Sequence, residues 1–214
     1  MEKKKEKKKI LTTTRIALFS MFVTLVAFLY KFGLGIASLS IILMVASVST
    51  FLVLLCKFVF FRNLSSSKEE KKKAYFIMMI ASLAFGVVFL LFAVLKVGNI
   101  DIHKENNFSG ILSYIFIGFV ILMFVLSIIN LKGALAKDDL VLLGLKEMIF
   151  ISALADAVII EEFLYKTLKV IRKLPLMPLI NSYFPLLVAI AMLVVPILMF
   201  RRYRSYETEQ TKES

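Results

Sequence analysis

Long runs without a charged side chain alternate along this chain with short clusters of charged residues. The longest runs are 32–56, 74–95, 110–131 and 174–200, and a shorter one is 16–30. A helix needs about 20 residues to cross the hydrocarbon core of a bilayer, and each of the four long runs has that length. A helix on the surface of a soluble protein would instead place polar residues on one face in every turn. The pattern therefore predicts helices that lie in a membrane.

The same pattern divides the chain into a multi-pass domain and two tails. We expect an all-α, polytopic membrane bundle of about six transmembrane helices, with a basic cytoplasmic tail at 1–15 and a polar tail at 201–214. Gly33 and Gly35 are expected to mark a tight reversal between the first two spans. Lys31 is expected to snorkel from the end of the first. The predicted spans lie at about 16–32, 36–56, 74–95, 110–131, 140–160 and 183–200.

The segment 140–160 is apolar but contains Lys146, Glu147 and Asp156. The residues that follow, 161–174, separate into a charged and an apolar side at 100° per residue, which predicts an amphipathic helix in the membrane interface. If 140–160 crosses, the chain has six spans and the basic end of 161–174 lies outside. If it does not cross, there are five spans and the arginines after residue 200 lie outside instead. We favour six, because the residues on both sides of Asp156 are strongly apolar.

Charge gives the expected orientation. The net charge is +12, and the tail and the linker 61–73 are the most basic connections. Basic loops stay on the cytoplasmic side, so we expect the N-terminus in the cytoplasm and the protein in the cell membrane. Basic residues near spans also contact anionic lipid headgroups. The expected contacts come from Lys3, Lys4, Lys5, Lys71, Lys72, Lys73, Lys169, Arg172 and Lys173.

Asp156 is the first candidate for chemistry. A carboxylate in the hydrocarbon core is costly and often marks an ion or proton path. Such a path would use Asp156 with Lys146 and Glu147. The alternative is a structural ion pair between Asp156 and Lys146 or another basic residue. Cys56 and His103 are single residues of their type, so we expect no internal disulfide, no metal site and no cofactor.

The sequence around Glu161 and Glu162 reads Glu-Glu-Phe-Leu-Tyr-Lys up to Lys166. It partly resembles the EExxxR motif of the membrane proteases related to the CAAX-processing family, in which the paired glutamate activates water. Lys166 stands where that family has arginine, and no histidine follows His103, so the family's later histidines have no counterpart. The other interpretation is an i,i+4 surface pair of Glu162 with Lys166. We therefore expect no enzyme and no catalytic residue.

Two classes of function remain. The first is an accessory, regulatory or immunity-type membrane subunit that acts through helix–helix contacts with a membrane protein partner or a second copy. The second is a small transporter or channel component that uses Asp156. Nucleic acid is not an expected partner, because aromatic residues are not interleaved with the basic clusters.

Overall fold

The computed structural model describes residues 2–37, 40–63, 66–98, 111–135, 139–167 and 175–213. Within these ranges the secondary structure is entirely helical, which confirms the predicted all-α fold class. The helices are α1 (Glu2–Ala37), α2 (Ile41–Arg62), α3 (Lys68–Val97), α4 (Ile111–Leu135), α5 (Leu140–Thr167) and α6 (Met177–Glu213).

Four of these helices are long and apolar enough to cross a membrane. The qualifying stretches are Leu18–Ala37 of α1, all of α2 and α3, and Met177–Tyr206 of α6, and α4 adds the shorter apolar stretch Val120–Leu135. The outer surface is apolar as well, since Phe19, Leu91 and Leu187 are 61–69% exposed. An exposed apolar surface of this extent fits lipid better than water. The fold is therefore that of a helical membrane bundle.

α5 occupies the centre of the bundle. It packs against α2, α3, α4 and α6, whereas α1 packs against α2 alone and α4 against α5 alone among the described helices. Of the α5 side chains that the structure describes, from Leu140 to Tyr165, only Leu164 is exposed. α5 thus combines several charged residues with a surface that its neighbours cover almost completely. Its charged residues explain why α5 is not among the four apolar stretches above. The buried carboxylates among them face cations on other helices.

Contacts between side chains fix the direction of each helix. Gly35 of α1 meets Met44 of α2, whereas Ser20 meets Lys57, so α1 and α2 run antiparallel. On the other side of the bundle, Gly86 of α3 meets Leu193, and the Phe76 ring lies beside Tyr203, so α3 and α6 are also antiparallel.

α5 runs parallel to α3 along its apolar length. Tyr75, near the start of α3, bonds to Glu147, and Lys96, near its end, bonds to Glu162. The segment of α5 between those glutamates is about 22 Å long. α5 therefore extends beside almost the whole apolar stretch of α3.

The end of α1 and the start of α3 differ from the sequence prediction. α1 continues through Gly33 and Gly35 to Ala37, so the reversal into α2 comes after the two glycines. Gly35 still has a role there, because an added Cβ would lie 3.1 Å from the Met44 side chain. α3 begins at Lys68, because Ser67 and Glu70 form a capping box. The Ser67 backbone N–H donates to the Glu70 carboxylate at 3.1 Å.

The segment 161–174 was expected to form a separate interfacial helix. The structure instead continues α5 without interruption to Thr167, and 168–174 lies outside the described residues. Glu162, expected on the polar outer face, is buried at 3% exposure. Its charge is accommodated by Lys96 of α3, which one-helix periodicity could not reveal.

Two glycines allow close contact between helices. A Cβ on Gly144 of α5 would lie 2.8 Å from the Tyr75 ring and 3.0 Å from the Met78 sulfur, and a Cβ on Gly86 would lie 2.9 Å from the Leu193 side chain. The pair Ser82 and Gly86, which has small-xxx-small spacing, thus packs inside the chain, between α3 and α6. The absence of a side chain at Gly144 lets the Tyr75 ring lie flat enough on α5 for its hydroxyl to reach Glu147.

We expect Gly144→Ala to lower stability by about 1–3 kcal/mol, because the Tyr75 ring is held by its hydroxyl and cannot move aside without losing a hydrogen bond. Gly86→Ala should cost less, because the atom in the way is the end of a flexible leucine. Gly133→Ala is the matched control, since a Cβ there meets nothing within 4 Å. Thermal unfolding of the purified variants in detergent micelles measures the order. Equal midpoints for Gly144→Ala and Gly133→Ala would contradict the packing described.

Candidate functional site

The buried charges of α5 lie at three levels of the bundle. Glu147, Asp156 and Glu162 are 3–7% exposed. Each accepts a hydrogen bond from a cation on a different helix: Arg202 of α6, Lys31 of α1 and Lys96 of α3. Burying a charge is expensive unless it is paired and hydrogen-bonded, so these three contacts decide how α5 can sit among its neighbours.

The middle level is the ion pair between Lys31 and Asp156. The Lys31 ammonium donates to both Asp156 oxygens, at 2.6 and 2.7 Å, and to the Thr50 hydroxyl at 3.0 Å. Both side chains are at least nine-tenths buried. Among the described residues no Cα atom of α1 comes within 8 Å of one in α5, so the long lysine side chain bridges the two helices. The prediction that Lys31 snorkels outward is wrong, because the Asp156 carboxylate offers it a partner inside the bundle.

The first outer level combines three helices. The Glu147 carboxylate accepts a hydrogen bond from the Tyr75 hydroxyl at 3.1 Å and from the Arg202 guanidinium. Arg202 is partly exposed at its side chain, at 36%, whereas Glu147 is buried. This cluster joins α3, α5 and α6 at the end where the apolar stretch of α3 begins.

The second outer level lies where the apolar stretch of α3 ends. Lys96 donates to Glu162 at 3.5 Å, with side-chain exposures of 11% and 4%. Asp156 is about 14 Å from Glu147 along α5 and about 9 Å from Glu162. The Lys31–Asp156 pair is consequently the one held well inside the apolar layer, and the other two border it.

A cavity of about 630 Å³ lies beside the middle level. Helices α1, α2, α4 and α5 line it, and among the described residues no Cα atom of α1 is within 8 Å of one in α4. It is therefore a groove that opens between α1 and α4, and we name it the α1–α4 groove. Its apolar wall includes Phe22, Val26, Val53, Val120, Met123 and Ile149. Its polar wall consists of Thr24, Lys31, Thr50, Lys57, Ser152 and Asp156.

Of the three residues predicted for an ion path, only Asp156 lines this groove. Glu147 lies at the outer level with Arg202, and Lys146 is partly buried at the same level, near Lys57. The structure thus separates the predicted set into two places. Sequence reasoning missed Lys31 and Arg202 as partners. The only signal available was that each is a cation at the edge of an apolar run, which does not identify its partner.

The residues predicted to contact lipid headgroups fall into several settings. Lys71 pairs with Asp139 at 3.2 Å, Lys72 lies 5.0 Å from the centre of the Tyr203 ring, and Lys73 is exposed. The backbone of Lys3, Lys4 and Lys5 belongs to α1. Lys169, Arg172 and Lys173 lie outside the described residues, as does His103.

Glu161 differs from its neighbour Glu162. Its two carboxylate oxygens are buried and have no hydrogen-bond partner among the residues that the structure describes. It lines a second, smaller cavity of about 280 Å³ with Phe124, Ile160 and Met177. Over the described ranges, no three His, Cys, Asp or Glu side chains come together as a metal site would require.

Comparisons with protein-family models, with functionally described proteins and with solved structures give no match to this chain. The residues and their geometry therefore carry the functional argument.

We expect Asp156→Asn and Lys31→Met each to lower stability by about 3 kcal/mol, because each leaves one buried charge without its partner. The double variant Lys31→Met with Asp156→Asn should recover most of that loss, since no uncompensated charge remains. Lys71→Met is the control: it breaks a partly exposed pair and should cost less than about 1 kcal/mol. Thermal unfolding in micelles measures all four. Additive losses in the double variant would show that the two side chains do not interact.

Proposed function

We propose that the chain is a six-span protein of the cell membrane, with its N-terminus in the cytoplasm, and that it serves as a non-enzymatic accessory or regulatory subunit. It acts by offering a fixed helix face to another membrane protein. The observation that carries this proposal concerns α1. Among the four apolar stretches, that of α1 has the smallest buried fraction, yet polar contacts inside the bundle hold this helix in place.

Six spans are supported by the directions of the helices. α1 and α3 each run antiparallel to an apolar neighbour, and α5 runs parallel to α3 between Glu147 and Glu162. A helix that accompanies α3 over its apolar length must cross where α3 crosses. Because α1 and α2 are antiparallel, the basic tail 1–15 and the basic linker 61–73 come on the same side of the bundle, which favours the cytoplasmic side for the N-terminus.

α1 is much less buried than the other apolar helices. In its most apolar window 11% of residues are buried, against 39–44% in α2, α3 and α6. Five exposed side chains recur at intervals of seven, four, three and four residues, which places them on one side of the helix. They are Leu18, Leu25, Leu29, Phe32 and Ile36, at 39–56% exposure, and we call them the α1 outer stripe. Leu18, Leu25 and Phe32 are seven residues apart, as are Leu29 and Ile36, and a repeat of seven is that of a seam between packed helices.

The α1 outer stripe points away from both the groove and α2. None of its five residues lines the α1–α4 groove. Gly33 lies beside the stripe, and a Cβ there would meet nothing within 4 Å. In lipid, helix association depends on close packing and on small residues that let backbones approach, because apolar side chains gain little over lipid tails. A seam with an adjacent open glycine meets that requirement.

Polar contacts keep the stripe at a fixed orientation. Lys31 ties α1 to Asp156, and Lys57 of α2 donates to Ser20 and Thr24 of α1. These anchors lie about 10–16 Å apart along α1. Two anchors along one helix resist its rotation, so the partner would meet a preformed surface rather than a mobile one.

A small transporter is the second candidate, because Lys31 and Asp156 form a buried acid–base pair in the wall of an open groove. The pair satisfies both charges, which favours a structural role. Ion flux in proteoliposomes separates the two classes. Flux that Asp156→Asn abolishes, while the double variant with Lys31→Met fails to restore it, would support transport and contradict the subunit proposal.

A photo-crosslinking amino acid at Leu29 should yield a discrete adduct with one other membrane protein in cells. The matched control is Leu91 of α3, which is similarly exposed, at 61%, but lies on another helix. The double variant Leu25→Ala with Leu29→Ala removes the centre of the seam, so the crosslinked protein should no longer co-purify with it. Leu91→Ala should leave that co-purification unchanged. Adducts at both positions, at neither, or with a second copy of the chain would each contradict the proposal.

A further inference from the structure

Lys57 is a cation in the wall of the α1–α4 groove. Its ammonium donates to the Ser20 hydroxyl at 2.7 Å, to the Ser20 carbonyl at 3.0 Å and to the Thr24 hydroxyl at 2.5 Å. All three acceptors are neutral. In the part of the chain that the structure describes, no carboxylate lies within ion-pair distance of Lys57, unlike Lys31, Lys96 and Arg202.

Lys57 differs from the other charged residues that line the groove. Asp156, the groove's buried carboxylate, is already neutralised by Lys31. The nearest cation of α5, Lys146, is close enough to Lys57 for the two charges to repel each other. Lys57 is therefore the groove cation that an anionic ligand would meet, and the rest of the wall is mainly apolar.

The depth of Lys57 suits a lipid phosphate. α2 ends at Arg62, so Lys57 is about 7 Å from the end of its helix. An ammonium at that depth, on a flexible stem, reaches the level where headgroups meet hydrocarbon. From there the groove leads past Phe22, Val26 and Val53 toward the middle of the bundle, with its open side between α1 and α4.

We infer that the α1–α4 groove binds one anionic phospholipid of the host bilayer, with its phosphate on Lys57 and an acyl chain along the apolar wall. The volume of about 630 Å³ is within the usual range of ligand pockets. The Lys57 ammonium donates to three neutral acceptors, so the phosphate would replace one of them and supply the counter-charge that Lys57 lacks.

This site is independent of the partner proposed above. The α1 outer stripe and the groove occupy different sides of α1, so either can fail without the other. An occupied groove would nevertheless fill the gap between α1 and α4 and support the position of α1.

The test compares two phospholipids with identical acyl chains, phosphatidylglycerol and phosphatidylcholine, added to the purified full chain in micelles. Native mass spectrometry counts retained lipid, and thermal unfolding reports stabilisation. We expect one phosphatidylglycerol to be retained about tenfold more strongly than phosphatidylcholine, a difference of about 1.4 kcal/mol. Both phosphates can accept from Lys57, but phosphatidylcholine also brings a trimethylammonium, whose positive charge is repelled by Lys57 and the nearby Lys146. Equal retention of the two lipids would overturn the proposal.

Variants locate the site. Lys57→Gln should remove the preference for phosphatidylglycerol, and Lys57→Arg should retain it. Lys68→Gln removes the same charge at an exposed position on α3 that is not among the expected headgroup contacts, and it should leave the preference unchanged. An unchanged preference in Lys57→Gln, or an equal loss in Lys68→Gln, would refute the assignment.

A second variant keeps the test decisive if Lys57→Gln does not fold. Ala27 lines the groove without touching the polar contacts of Lys57, so Ala27→Phe should block the acyl chain and lower retention of phosphatidylglycerol. Inorganic phosphate at millimolar concentration should not displace the lipid, because it lacks the chain. Displacement by phosphate, or full retention by Ala27→Phe, would mean that the groove does not hold the lipid.

Discussion

The structure depends on the rule that a charge removed from water must find an opposite charge or several hydrogen bonds. α5 brings Glu147, Asp156 and Glu162 into the bundle, and three different helices each return one cation to it. These contacts set more than stability. Lys31 fixes α1, Lys96 fixes the end of α3, and Arg202 fixes the end of α6, so the charges define which helix lies where. Apolar packing alone would be less specific, because lipid tails compete with apolar side chains on equal terms.

The arrangement has a consequence for α1. Its backbone stays away from α5 and α4, and a single lysine side chain crosses the gap to Asp156. The gap is the groove, and the exposed side of α1 is the stripe. Both proposals thus arise from one feature: a peripheral helix held at a distance by polar tethers. Lys57 differs from Lys31, Lys96 and Arg202, because its partners among the described residues are hydroxyl and carbonyl oxygens. A lipid phosphate would bring it into line with the others.

Much of the fold follows from the sequence, because uncharged runs of spanning length have few alternatives to a membrane helix. The runs 32–56, 74–95 and 110–131 correspond to α2, α3 and α4, with ends displaced by capping residues such as Ser67. The candidate site was harder to predict from the sequence. Asp156 could be identified as a buried acid, but its partner Lys31 is far away in sequence, and pairing over that distance is a property of the assembled bundle. The same reason explains why Glu162 was predicted on the surface: helical periodicity places it on the charged side of its helix, and its partner Lys96 lies on another helix.

The six-span proposal requires α5 to cross the membrane within the bundle. Single cysteines at Leu135, before α5, and Leu176, after it, test this claim in a Cys56→Ser background, with a thiol reagent that cannot cross the bilayer. Both positions are more than half exposed, whereas Cys56 itself is buried. We predict that Leu135→Cys reacts only from the cytoplasmic side and Leu176→Cys only from the opposite side. Reaction of both cysteines from the same side would place α5 outside the set of crossing helices and would contradict the account of its charges.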